Sequence, residues 1–195
     1  CLSSRADVSF IDRLPDDVRA QAEPLRTTFE HWMVFSDPPI QTKLRNLVRG
    51  HVARPSPVEL EHALSARAEQ LLHDGVSVGS LAVYDAFAKP LGLQALAAIL
   101  GVSEQELRCA DGWSNDLLDF INVEPSVEQT RRSIVSLGEL RQFVAQLRDR
   151  DTLDADSLAG VLARAWREGV IDETEAVATF AQMITALLTI VGVLA

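Results

Sequence analysis

Apolar residues recur at helical spacing along almost the whole chain, and the polar residues between them mark where each helix starts and stops. Pro15-Asp16-Asp17 combines a first-turn proline with acids suited to the positive end of a helix, and predicts a helix running to about His31. Asp37-Pro38-Pro39 predicts the next, with Asp37 as N-cap; Ile40, Leu44, Leu47 and Val48 form its apolar face and Gly50 its end. A third helix starts at Pro57, carries Leu60, Leu64, Ala68, Leu71 and Leu72, and closes at His73-Asp74-Gly75. Residues 76–83 alternate weakly and are the best strand candidate. Residues 85–100 read as a helix interrupted at Pro90 and stopped by Gly101.

The second half repeats the pattern. Ser103-Glu104-Gln105-Glu106 is a capping box, and the helix it opens carries Leu107, Trp113, Leu117, Leu118 and Phe120. Pro125-Ser126-Val127-Glu128 opens a long amphipathic helix to about Arg150. A short helix over 156–168 ends at Gly169, and Asp172-Glu173-Thr174-Glu175 opens the last one. There is no internal repeat and no long linker, so residues 1–195 read as one helical domain.

Composition narrows the class. Hydrophobic residues make up 47% and charged residues 24%, as in a soluble globular protein, and a net charge of -10 disfavours a nucleic-acid partner. Residues 176–195 carry no charge, which reaches the length of a membrane span. Thr179, Gln182, Thr185 and Thr189 within that stretch favour a buried central helix, so no membrane association is expected. Two cysteines, Cys1 and Cys109, give no support for a disulfide and fit a reducing cytoplasm. Cys109 reads as a small helix residue.

Residues 29–50, with Phe29-Glu30-His31-Trp32 leading into Asp37-Pro38-Pro39-Ile40-Gln41 and Arg45, resemble a signature of bacterial cytochrome P-450, the haem-thiolate monooxygenases. Leu2-Ser3-Ser4-Arg5 is similar to the segment after the family's B helix. Leu100-Gly101-Val102 with Trp113-Ser114-Asn115-Asp116 is similar to its E-to-F region, and the stretch from Glu168 to Ala178 to the start of its central I helix. The resemblance implies an all-α, partial cytochrome P-450-like fold, running from B to I helix and lacking most of the family's sheet. It implies that Arg45 stands where the family holds a haem propionate.

The departures are systematic. Gln41 replaces the histidine usual four residues before that Arg. The mid-I-helix segment, which in the family carries Gly, an acid and Thr, reads Ala186-Leu187-Leu188-Thr189-Ile190, with no acid after Glu175. An apolar helix cannot relay protons as a carboxylate and hydroxyl pair can. The chain stops before the family's cysteine ligand loop would appear. These features set up the expectation of a truncated, haem-free relative from natural-product biosynthesis that binds a hydrophobic small molecule. It would have no cofactor of its own, haem returning only with the missing half. Its chemistry would be non-oxidative, such as cyclisation or isomerisation. The alternatives are an accessory protein of the glycosyltransferase-helper type and a fragment of a haem monooxygenase.

The candidate site follows from the same residues. His31 is the candidate acid or base. Trp32, Gln41, Arg45, Phe120, Gln182, Thr185 and Thr189 are candidate ligand contacts, and no metal site is expected, since the four histidines show no metal spacing. Arg45 could equally pair with a surface acid. The Gln182, Thr185 and Thr189 stripe could equally be threonines bonded to their own helix. Asp116 and Asp119 could do acid–base work or line a solvated face. A last helix apolar nearly all round implies a cover over Ile184, Leu187, Leu188, Val191 and Leu194, a homodimer or a partner protein, because exposing each would cost about 1.5–3 kcal/mol.

Overall fold

The structure is a computed structural model that describes residues 9–52, 56–78, 82–122 and 125–194. Among them there is no strand. Eight α-helices run in order: α1 (Asp16–Glu30), α2 (Ile40–Arg49), α3 (Pro57–Val78), α4 (Lys89–Leu100), α5 (Ala110–Asn122), α6 (Val127–Arg148), α7 (Leu158–Arg167) and α8 (Glu173–Leu194). A 3-10 turn (Ser9–Arg13) precedes α1 and a π-helical turn (Val83–Ala88) precedes α4.

The caps are where local chemistry places them. Ser126 accepts the Gln129 N–H while Gln129 reaches back to the Ser126 N–H, a complete capping box on α6. Asp172 and Glu175 do the same for α8, at 2.9 and 3.0 Å. Gly101 ends α4 in the left-handed region, φ +76°, where a Cβ would also run into Ser157.

Three expectations are corrected. Residues 76–78 belong to α3, which runs through His73-Asp74-Gly75 to Val78; Val83 starts the π turn, and residues 79–81 lie outside the described set. The weak alternation there reflects exposure, Val76 being 80% exposed, rather than a sheet face. The N-cap of α2 is Pro39, with no side-chain cap bond, so the helix starts later than an Asp37 cap would set it. The Ser103–Glu106 box does form, but it closes a set of turns, and α5 begins only at Ala110. Leu2-Ser3-Ser4-Arg5 and Cys1 lie outside the described residues.

α8 is the central rod. It contacts α1, α4, α5, α6 and α7, and Ala176, Val177, Phe180, Ala181, Ile184 and Leu188 are buried against them. Ile184 and Leu188 are buried in the chain's own core. Leu187 is half-buried, and the side chains of Val191 and Leu194 lie outside the described set. No helix among the described residues is long and apolar enough to cross a membrane. An aromatic seam joins the layers: Phe29 stacks on Phe120 at 5.4 Å, and Phe10 meets Phe120 edge-on at 5.0 Å.

Candidate functional site

α2 is placed by its apolar face. Leu44 and Val48 are buried, and the helix packs on α7. An adjoining face, which shares Val48, looks onto a cavity of about 650 Å³, walled by Gln41, Arg45, Val48, Arg49 and Val52, by Met33, Val34 and Ser36 of the preceding turn, and by Gln182 of α8. The structure thus brings together three of the residues singled out from sequence, Gln41, Arg45 and Gln182. Hydrogen bonds fix the turn: the Met33 N–H donates to Gln182 Oε1 at 2.7 Å, and the Ser36 hydroxyl lies 2.8 Å from the Trp32 carbonyl and 2.9 Å from the Glu30 carbonyl. Lys43 spans from α2 to the nearly buried Glu175 at the start of α8, an ion pair that ties the two helices together.

Arg45 is exposed and has no hydrogen bond or ion pair with any described residue, and the same holds for Arg49 one turn on. Most other arginines with a place in the packing are paired, Arg26 with Asp12 at 2.6 Å and Arg131 with Asp17 at 2.8 Å among them. Because Gln182 Oε1 is already an acceptor, its amide NH₂ is the group left to donate into the cleft.

The remaining candidates separate from this cleft. His31 lines a neighbouring cavity of about 450 Å³ with Glu30, Phe35, Asp37, Pro38, Pro39 and Ile40; the two cavities share only Ser36. Its Nδ1 lies 2.7 Å from the Thr27 carbonyl, which fixes the ring and leaves Nε2 as the other polar atom. Trp32 is 4% exposed and packs on Phe29 at 4.7 Å. Phe120 is fully buried in the aromatic seam. Both aromatics, expected at a ligand, instead pack in one core cluster, each against Phe29 of α1. Thr185 is buried and its hydroxyl donates to the Ala181 carbonyl at 2.9 Å, the internal bond expected of a helical Thr. Thr189 is exposed, away from the cleft lining. Asp116 accepts from Ser136 at 2.5 Å and from Arg132 at 3.4 Å, and Asp119 pairs with the same Arg132 at 3.6 Å, so the two acids brace α5 on α6.

Sequence reasoning missed Met33, Val34 and Val52. Val34 is 54% and Val52 38% exposed, an apolar rim with a signal too short to read in a chain of helices.

The donor set bears on haem. A propionate fits Arg45. A thiolate that could hold haem at this cleft does not come from the described residues: Cys109 is exposed and lines grooves between α5 and α6, with Arg108, Trp113 and Glu139, that share no residue with the α2 cleft. No group of three or more His, Cys, Asp and Glu side chains among the described residues is placed to hold a metal ion.

No family model matches the chain. Among characterised proteins it is 27% identical over 175 residues to the steroid C26-monooxygenase of Rhodococcus jostii, covering 86% of this chain and 36% of that protein. It is 26% identical over 138 residues to a polyketide biosynthesis cytochrome P450 of Bacillus subtilis, covering 70% and 33%. In structure it is similar to CalO2, with a TM-score of 0.73, 25% identity and coverage of 94% of this chain and 49% of that one. The epothilone B-bound cytochrome P450epoK shares the fold, with a TM-score of 0.64, 20% identity and coverage of 94% and 50%. The chain spans about a third of the length of the characterised relatives and about half of the solved ones. It is an all-α, cytochrome P-450-like domain that resembles the B-to-I-helix portion of that fold.

Proposed function

We propose that this chain holds a hydrophobic small molecule by an acidic group in the cleft between the 31–36 turn, α2 and Gln182. The observation that carries the reading is Arg45: a guanidinium with no partner among the described residues, facing a cavity of about 650 Å³ in a chain of net charge -10. A guanidinium binds a carboxylate through two parallel N–H donors, and Gln41 and the Gln182 amide add neutral donors beside it. Val34 and Val52 then cover the ligand's apolar part. Such a site accelerates a reaction by positioning alone, which suits a non-oxidative step such as a cyclisation or isomerisation in natural-product biosynthesis. The name of the Bacillus relative, a polyketide biosynthesis protein, supports that setting.

A second reading is favoured by the position of Arg45 itself. In it the carboxylate belongs to haem, and the chain is one part of a monooxygenase. Haem, when bound, supplies oxygen chemistry; this chain's contribution is to hold a propionate through Arg45, with Gln41 one turn away.

Calorimetric titration with dodecanoate and, separately, with haem distinguishes the two. Saturable dodecanoate binding by folded protein that takes up no haem supports the first reading. Haem uptake that blocks dodecanoate, with a Soret band that moves on reduction under carbon monoxide, supports the second. Binding of neither ends the proposal for this cleft.

A further inference from the structure

α3 is the least embedded of the long helices. None of its described side chains is buried: Leu60, Leu64, Ala68 and Leu71 are half covered, and Leu72 and Val76 are exposed. It docks on α4 and the π turn. Hydrophobic stabilisation grows with the apolar area removed from water, so half-covered leucines hold the helix far less firmly than the buried faces hold α6 or α8.

Each of the two docked helices also carries a buried polar atom that opposes docking. Arg67 Nε on α3 and Gln94 Oε1 on α4 are buried without a hydrogen-bond partner among the described residues. The side-chain bond that crosses the seam, from Gln94 Nε2 to the Ala63 carbonyl, spans 3.5 Å, the outer limit for such a bond. Separation of the two helices would let water reach both orphaned atoms, a gain that offsets part of the lost apolar contact. By contrast α6 is tied through Ser133 and Ser136 to Asp116 at 2.7 and 2.5 Å, and α8 through Gln182 to Met33.

We infer that α3 opens as a unit while the rest of the chain stays folded, a conformational device that uncovers the outer side of α4. Local opening of this kind is expected where buried apolar contact is sparse.

Native-state hydrogen exchange of the 195-residue chain in a urea series tests it. The amides of α3 should exchange about a hundredfold faster than those of α6 and α8, together as one set, and with a urea dependence smaller than that of α6 and α8. Exchange of α3 in step with α6 and α8 across the series would overturn the inference. A double variant, Arg67→Met with Gln94→Leu, removes both orphaned atoms. It should slow α3 exchange about tenfold and leave α6 unchanged. Unchanged or faster α3 exchange, with α6 protection at the parent level, would overturn the role given to the seam. The parent comparison decides the opening itself even if the variant does not fold.

Discussion

Gln182, on the central helix, accepts the backbone N–H of Met33 at 2.7 Å across 149 residues of sequence. This bond fixes the turn after α1 to α8 and sets one wall of the cleft. Gln182→Leu leaves a partly buried N–H without an acceptor, which costs about 1–3 kcal/mol. The urea midpoint should fall accordingly, while Gln182→Glu, which keeps an acceptor oxygen, should lose less.

Two glycines inside helices should respond in opposite directions. Gly160, in α7, faces the Asp154 carbonyl, and a Cβ there would run into it. Gly160→Ala should destabilise by about 1–3 kcal/mol through overpacking. Gly138, in α6, leaves open space out to 4 Å around the point where a Cβ would stand. Gly138→Ala should stabilise by about 0.4–1 kcal/mol, since it removes backbone freedom from the unfolded chain. Thermal denaturation of the two variants beside the parent checks both signs.

Acid stability should depend on Glu106. Its carboxylate accepts from the Ser103 hydroxyl at 2.6 Å and the Ser103 N–H at 2.8 Å and pairs with Arg150, which together hold its pKa at about 2 against an ordinary 4.5. A folded-state pKa below the unfolded one means that the unfolded chain binds the proton more readily. The contribution is therefore fully present above about pH 4.5 and is lost as pH falls towards 2. Ser103→Ala should flatten the fall in stability over that window, measured by urea titration at a series of pH values. An unchanged slope would show that Glu106 is not its source.

Much of the helical order was legible because its signals are local. Ser126 with Gln129, and Asp172 with Glu175, are contacts within one turn, so the residues alone define the helix starts. Residues 76–83 mislead because exposed valines carry the same short-range pattern as a strand, and only the docking of α3 decides between them. The site was legible in part for the same reason. Gln41 and Arg45 sit one turn apart on α2, a local relation, and both reach the cleft. Phe120 went to the core because its fate depends on how α5 meets Phe29 of α1, a contact that spacing along one helix cannot encode, and Trp32 joins the same cluster through Phe29. Met33, Val34 and Val52 gained a role only from the long-range bond to Gln182 and the approach of the turn to α2.

The most direct test of the central claim is the dissociation constant for dodecanoate of the parent and of Arg45→Gln, compared by calorimetry. A charge-assisted contact of about 1.5–3 kcal/mol predicts a loss of roughly ten- to a hundredfold in affinity, with the folded helical content unchanged. Saturable binding of equal strength in both proteins would contradict the assignment of Arg45 as the anchor of the ligand's acidic end.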